Sequence, residues 1–444
     1  MLKMAANMEV WKSQELLDAL RSYFARLKVP DMAAAKNDVL PVVNKIVDFI
    51  KIKDRRFDMT VETRGSVYEK LKIDEADEFD FDLKLNTLKM EKIELVYADE
   101  YTVCKPNFWL DFIDEKGLLL TQKLTERFSS YVGEACREIN SKFSLRSKLN
   151  HPAVTVFMSD GETKYNVDLA LVIEVEKWPE NLTLGWEHRK TNGFPSVTCI
   201  EKIKSGPICL VAKVPPDIKA QNPSVSDNLW RMAFNHAEKQ IALDPNEGVP
   251  DSCRRPVLRI LKGFREHLNW PFLRSYHIKT VLLHEFESHP PDKWQPDRLG
   301  ERVFTAVKRL KDFVVNKKCP HYFLPQVNLF KTMSNSDALL QKIDRFLGDP
   351  LAMVRALNNE GTAPPTNDLQ IYLRLPNGKT TTLSTKKNED IQALKRKAST
   401  ISGLAESQFY LSFNSRSLER GTIASNGIKH GSEIVIMTRL RGGT

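Results

Sequence analysis

The sequence predicts an α+β chain: a large body mixing helices and strands, then a small, strand-rich unit at the C-terminus. Three observations predict it. Residues Lys12–Lys53 repeat apolar side chains at helical spacing, residues 78–85 alternate acid and apolar, and residues 359–368 (NEGTAPPTND) carry Gly and two Pro with no periodicity at all. The chain has 444 residues, 41% of them hydrophobic and 28% charged, enough to build a core and too much for a wholly disordered chain. No run approaches the roughly 18 apolar residues of a membrane span. The start, MLKMAANMEVWKSQELL, lacks an apolar signal core, so no secretory leader and no membrane partner are expected. Six cysteines, at 104, 136, 199, 209, 253 and 319, never reach CxxC spacing, which argues against a disulfide scaffold or a zinc ribbon and fits a reducing cytoplasm or nucleus.

In the first helical region Leu16, Leu17, Leu20, Tyr23 and Phe24 form one stripe. After Val29-Pro30, Val39, Val42, Val43, Ile46, Val47 and Ile50 form another. Phe79, Phe81, Leu83 and Leu85 then alternate with Glu78, Asp80, Asp82 and Lys84, a half-buried strand with a carboxylate face. Thr121–Asn140 reads as helix, and Ala153–Phe157 and Asn166–Glu176 read as strands joined by a Ser159-Asp160-Gly161 turn. Leu229–Asn269 reads as helices interrupted near Pro245–Pro256, followed by helices at Leu299–Val315 and Ser336–Asn358. Beyond the linker, strands at Gln370–Leu375 and Thr380–Ser384 flank a Pro376-Asn377-Gly378 turn, and a helix spans about Asp390–Thr400.

The formal charge is +9, which first suggests a nucleic-acid partner. Its distribution weakens that reading. From Leu369 onward 12 Lys and Arg face 5 Asp and Glu, a net +7, which leaves +2 for the first 368 residues.

The strongest chemical signal is Gly65-Ser66 followed by Glu78-Phe79-Asp80. Residues i and i+2 of a strand share a face, so Glu78 and Asp80 can reach one metal cluster, and hard Mg²⁺ (or Mn²⁺) prefers carboxylate and phosphate oxygens. Gly65 lets backbone approach a phosphate, and Ser66 offers a hydroxyl and an N–H. A third carboxylate is expected from another strand, and Asp168, between core-facing Val167 and Leu169, is well placed. Asp82 shares the face and ranks as a supporting acid; the plain alternative is a solvated acidic strand face.

The order Gly65-Ser66-Val67-Tyr68-Glu69, Glu78-Phe79-Asp80, Pro152-Ala153-Val154-Thr155-Val156, Val167-Asp168 resembles the family of cyclic GMP-AMP synthase and the cGAS-like receptors. So do Leu210–Lys213, Trp230–His236, Ser275–Thr280 and Tyr322–Phe330, and the resemblance covers about residues 10–358. It implies a bilobal nucleotidyltransferase, with a catalytic lobe at 1–200 behind a long N-terminal helix, a helical lobe at 201–358 and a linker at 359–368. It implies two Mg²⁺ on Glu78, Asp80 and Asp168, triphosphate on Gly65 and Ser66, phosphate on Lys262, a base stacked on Tyr276 beside Ser275, and a guanine-type base on Arg231. ATP, GTP or other nucleoside triphosphates would be substrates for a cyclic dinucleotide in innate immune signalling. Ala170 and Ala233 stand where the synthase has base-contacting Thr and Ser, so the base choice stays open. The vertebrate zinc thumb has no counterpart, because Asp244–Arg255 holds only Cys253, and no zinc is expected. His236, His267, His277, His284 and His289 lack metal-like grouping.

Zinc-less animal relatives imply double-stranded RNA as activator, read by shape through spaced cations. Two surfaces could serve: Lys45, Lys51, Lys53, Arg55 and Arg56, or Arg254, Arg255, Arg259, Lys262, Arg265, Arg274 and Lys279 against the single acid Glu266. A solvated basic face is the bland alternative, and a catalytically silent scaffold is the competing function.

Residues Leu369–Gly443 resemble ubiquitin, a β-grasp unit, through the hairpin, the helix, Leu418–Gly421 and the terminal Arg439-Leu440-Arg441-Gly442-Gly443. Ser412 and Pro376 replace the apolar patch, and Arg416 replaces the chief chain-forming lysine. Ubiquitin-pathway enzymes would act at Gly442 and Gly443 if Thr444 were removed; a folded docking module is the other reading.

Overall fold

The computed structural model of the chain describes residues 9–27, 32–64, 78–87, 94–95, 101–103, 109–150, 152–175, 178–189, 192–212, 227–244, 252–331, 333, 336–359, 368–376, 380–386, 388–413, 416–428 and 432–438. Contacts divide the chain into two compact units, Met1–Leu351 and Ala352–Thr444.

In the first unit, helix α1 (Gln14–Arg26) begins where Ser13 Oγ accepts the Leu16 N–H at 3.2 Å, satisfying one donor of the open first turn. Its Leu16, Leu17, Leu20 and Tyr23 stripe is buried against helices from much later in the chain. Tyr23 stacks on Phe264 at 5.2 Å, and Trp11 meets Phe304 at 5.3 Å and Phe346 at 5.7 Å. Gly263 sits under Tyr23 where a Cβ would have no room. Helix α2 (Met32–Lys53) follows, burying Val39, Val42, Val43, Ile46, Val47 and Ile50. It packs on helix α3 (Thr121–Glu138) and on strand β1 (Met59–Arg64). The N-terminal region therefore ties two halves together: α1 belongs with the late helices and α2 with the sheet.

The sheet has nine strands among the described residues. They are β1, β2 (Glu78–Leu85), β3 (Glu94–Leu95), β4 (Tyr101–Val103), β5 (Ser144–Asn150), β6 (Ala153–Ser159), β7 (Lys164–Val175), β8 (Ile208–Val211) and β9 (Trp230–Ala233). The order is β1-β2-β7-β8-β9-β4-β3, with β6 also on β7 and β5 on β6. Only β2 and β7 run parallel among these pairs. As its alternation predicts, β2 buries Phe79, Phe81, Leu83 and Leu85.

Two expectations change here. Trp230–Ala233 is a strand, not the start of a helix; a four-residue segment is too short to set a period, and its backbone completes the β8 ladder. The sheet accordingly continues past residue 200, to Ala233.

Helices α4 (Val197–Ser205), α5 (Asn235–Leu243), α6 (Arg254–His267), α7 (Ser275–Ser288), α8 (Leu299–Val315) and α9 (Asp337–Gly348) complete the helical half, with α6, α7 and α8 packed on one another, and the division between the two units falls within α10 (Pro350–Asn359). No helix among the described residues is long and apolar enough to cross a membrane.

The second unit has its own core. Strand β10 (Asp368–Arg374) pairs with β11 (Thr380–Lys386) as a hairpin. Helix α11 (Ile391–Ser402) is capped by Asp390 and ended by Gly403 at φ 71°, a left-handed turn that glycine adopts without strain. Strands β12 (Phe409–Phe413), β13 (Arg416–Leu418) and β14 (Glu433–Thr438) complete the order β11-β10-β14-β12-β13, with β14 parallel to β10. Ile371, Leu373, Ile391, Leu394, Phe409, Leu411, Ile434 and Ile436 fill the space between sheet and helix.

Candidate active site

The acid face of β2 is set by strand geometry. Burying its four apolar side chains turns Glu78, Asp80, Asp82 and Lys84 to the other face. The parallel pairing puts Asp80 opposite Asp168, Glu78 opposite Asn166 and Asp82 opposite Ala170. Paired residues share a face at the usual spacing of about 4.8 Å, so Asp80 and Asp168 are side-by-side carboxylates. Asp80 and Asp168 are half-buried, and Glu78 is exposed at the strand's start.

Asp168 is held. Thr155, opposite it on β6, donates its hydroxyl to Asp168 Oδ1 at 2.5 Å, and Asn150 Nδ2 donates to Thr155 Oγ1 at 2.8 Å. Asp82 is different: it is buried, and its Oδ2 accepts from Asn235 Nδ2 at 2.7 Å. That bond ties the sheet to the start of α5 and makes Asp82 a structural acid. At the strand's far end Lys84 lies 3.2 Å from Glu174 and 3.8 Å from Glu62.

The same face carries Arg231. Lys84 pairs with Val172, Val172 with Val211 and Val211 with Arg231, so all four share a side with Asp80. Between them Val172, Cys209, Val211 and Ala233 form a small apolar cluster. Ala170 and Ala233 thus lie on the acid side of the sheet and bring no hydrogen-bonding group to it.

Across from the sheet, Ser275 opens α7 and Tyr276 follows it. Tyr276 Oη is 2.8 Å from His321 Nε2, and Tyr276 also hydrogen-bonds Glu238, whose carboxylate meets Lys279 Nζ at 2.7 Å. Burial works to raise the Glu238 pKa, but the Lys279 charge and these hydrogen bonds outweigh it and hold the group below the ordinary value. Burial pushes the imidazole of His321 down to about 4.

Gly65, Ser66, Gly442 and Gly443 lie outside the described residues. Of the two expected basic surfaces, the second is mostly not a surface. Arg254 is 8% exposed, with its guanidinium 4.0 Å from the Phe194 ring centre and 5.4 Å from that of Phe286, and burial lowers its pKa to about 10. Arg259 and Lys262 are buried as well, Arg265 pairs with Glu266 and Lys279 with Glu238; Arg255 and Arg274 stay exposed. The strong amphipathic pattern of α6 turns several of these cations inward, which a count of charges along the sequence cannot register. The first surface remains outside. Lys45, Lys51, Lys53 and Arg55 are exposed, with Lys51 2.9 Å from Asp58 and Lys53 2.5 Å from Glu134, while Arg56 is clamped at 2.8 Å to both Asp54 and Asp111.

Sequence reasoning missed Thr155, Asn150, Glu238 and His321. Thr155 carried a signal: a lone polar residue at an inward position of an apolar strand marks a partner on the neighbouring strand. The others become neighbours only through the fold.

The residues fit a divalent-metal site in chemistry. Glu78, Asp80 and Asp168 are hard oxygen donors, and Mg²⁺ keeps several waters and binds through one or two carboxylates plus substrate phosphates. Among the described residues no three His, Cys, Asp or Glu side chains close into a cage.

A mixed sheet with paired strand carboxylates, followed by a helical half, defines a nucleotidyltransferase-type fold. Residues 67–242 match the family model of the Mab-21 protein nucleotidyltransferase domain, and residues 253–345 match that of the Mab-21 protein HhH/H2TH-like domain. The chain belongs to the Mab-21, cGAS-like family.

Proposed function

We propose that the protein is a nucleic-acid-activated synthase of a cyclic dinucleotide, made from two nucleoside triphosphates in innate immune signalling. The observation that carries this is the in-register Asp80–Asp168 pair, with Glu78 two residues along, on one face of the sheet of a Mab-21 nucleotidyltransferase domain. In each of two steps a ribose hydroxyl oxygen forms a bond to an α-phosphorus, the α–β bridging P–O bond breaks and pyrophosphate leaves. Glu78, Asp80 and Asp168 would hold two Mg²⁺ (or Mn²⁺), which when bound supply charge neutralisation for the triphosphate and activation of the hydroxyl. Thr155 keeps one Asp168 oxygen engaged and so fixes where the other points. Gly65 and Ser66 would hold the triphosphate, with Arg231 and Tyr276 at the bases. Ala170 and Ala233 offer no base-edge contact, which supports a product other than cyclic GMP-AMP as readily as that compound.

Double-stranded RNA is the activator we favour, docking on the outward end of α2 through Lys45, Lys51, Lys53 and Arg55. The protein would work in the cytoplasm. We read the second unit as ubiquitin-like, on its hairpin, its helix and a last strand parallel to the first, and as a docking or regulatory module.

The test mixes the full chain with labelled ATP, GTP, CTP and UTP, Mg²⁺ and either DNA or double-stranded RNA, and separates products by thin-layer chromatography. A phosphatase-resistant product that Asp80→Asn abolishes is expected. No such product with any ligand would favour a silent scaffold, and a product that survives Asp80→Asn would remove the metal assignment.

A further inference from the structure

One buried polar chain among the helices has a defined hydrogen-bond direction. His321 lies in a tight turn whose backbone wraps its ring: Nδ1 accepts from the Phe323 N–H at 3.2 Å and the Leu324 N–H at 3.1 Å. A nitrogen that accepts carries no proton, so the proton of the neutral ring sits on Nε2. Burial pushes the ring's pKa down to about 4, which keeps that tautomer through neutral pH.

The consequence passes to Tyr276. His321 Nε2–H faces Tyr276 Oη at 2.8 Å and must donate, so the phenol accepts there and its own proton goes elsewhere. Glu238 takes it, as an anion already bound by Lys279 at 2.7 Å. Three separate elements contribute: α5 gives Glu238, α7 gives Tyr276 and Lys279 three residues apart on one face, and the turn after Cys319 gives His321. His321 is 3% exposed and Glu238 6%, whereas Tyr276 is half-buried. With one acceptor site and its only proton engaged, the phenol hydroxyl is turned into the protein.

We propose that His321 and Glu238 are positioning residues that lock the Tyr276 hydroxyl inward, so that Tyr276 offers a nucleotide only its ring face and stacks on a base without reading its edge. This rests on the nucleotide-binding reading above. It matches the sheet side of the cleft, where Ala170 and Ala233 are equally silent. A ring face accepts any base, because every base has a π-face, so selection among the four nucleotides has to arise at other groups.

The test uses the full-length protein. Long-range ¹H–¹⁵N correlation of ¹⁵N-histidine-labelled protein should show His321 protonated at Nε2 only, with a shift that Tyr276→Phe moves. Steady-state kinetics with ATP, GTP, CTP and UTP should show Tyr276→Phe raising KM by the same factor, roughly three- to tenfold, for each nucleotide the wild type uses, with kcat less affected, as loosening of a ring that loses both hydrogen bonds of its hydroxyl implies. His321→Gln, which retains an N–H, should recover part of what His321→Leu loses. A proton on Nδ1 would overturn the relay. A KM change confined to one nucleotide would overturn the ring-face role, because the hydroxyl would then be reading an edge; so would no change in any. A wild-type protein that neither binds Mg²⁺-nucleotides by calorimetry nor makes product would defeat the nucleotide reading and the ring-face role with it, and the histidine spectrum would still decide the relay separately.

Discussion

Thr155→Val isolates the bond that fixes Asp168. The substitution keeps β-branching and nearly the same volume in a buried strand position, and it removes only the hydroxyl that donates to Asp168 Oδ1 at 2.5 Å. A hydrogen bond to an ionised group is worth about 1.5–3 kcal/mol. If that energy serves to hold Asp168 for the reaction, its loss slows product formation by roughly ten- to a hundredfold, at about 1.4 kcal/mol per factor of ten. Asn150 Nδ2 also loses its acceptor, at 2.8 Å in the folded protein, so a stability loss of about 1 kcal/mol should accompany the rate effect. The assay is initial rate of product formation at saturating nucleotide beside a thermal melt, with Thr155→Ser as the control that restores the hydroxyl. Thr155→Ser should recover most of the rate. A folded Thr155→Val protein with the wild-type rate would refute the claim that this bond positions a reacting carboxylate.

Four further outcomes follow from the same geometry. Lys279→Ala leaves Glu238 buried without its cation and should cost about 3–5 kcal/mol, read as a lower melting temperature; because the folded Glu238 pKa is depressed, the pair's contribution is present above the ordinary glutamate value and disappears as pH falls through the folded one. Burial holds His277, His284 and His321 at about 4 each, so the unfolded chain binds more protons between about 4 and 6.5; stability should be full above that window and fall on acidification through it, by at most ~4 kcal/mol per pH unit, in melts across pH. Arg254→Met replaces a buried cation whose Nε and Nη2 have no hydrogen-bond partner; the variant should melt no lower than the parent and bind double-stranded RNA equally well by fluorescence anisotropy, whereas reduced binding would restore Arg254 as a contact. Deleting 360–444 should leave the melting of the first unit unchanged by calorimetry, because the second unit closes its own core.

Elements whose period is long or regular could be read directly from the residues. The eight residues of β2 alternate without exception, and the alternation specifies both the core side and the acid side before any partner strand is known. The two N-terminal helices were equally clear as helices. Their destinations were not, because nothing local says that Tyr23 of α1 stacks on Phe264, or that Trp11 just before it meets Phe304, both more than 240 residues later. Trp230–Ala233 reads as helix for the opposite reason, since four residues carry no period and the ladder with β8 decides them. The site divides along the same line. Asp80 and Asp168 are visible as acids in apolar strands, yet their register, and the Thr155 hydroxyl that orients one of them, belong to the pairing of three strands and to no single segment.

Charge is the property for which sequence and structure diverge most, and the divergence changes where nucleic acid could bind. Counted along the chain, 254–279 carries seven cations against the single acid Glu266. A helix buries whatever its packed face carries, and long cationic side chains are tolerated there when aromatic rings or backbone carbonyls receive them. Arg254 lies over Phe194, and Arg259 lies 4.7 Å over Phe24 with its guanidinium on the Leu27 carbonyl. Such groups still add to a formal +9 but project no field into solvent that a phosphate backbone could meet. The outward end of α2 is the reverse case. Its ion pairs join exposed lysines to half-buried acids at the surface, where solvent screens the attraction, so a phosphate can displace Asp58 or Glu134 at little loss. Double reversal at Lys53 and Arg55 to Glu should therefore weaken RNA binding and flatten its dependence on salt by about two counterions, while the same affinity in the variant would remove the outward end of α2 as the RNA contact.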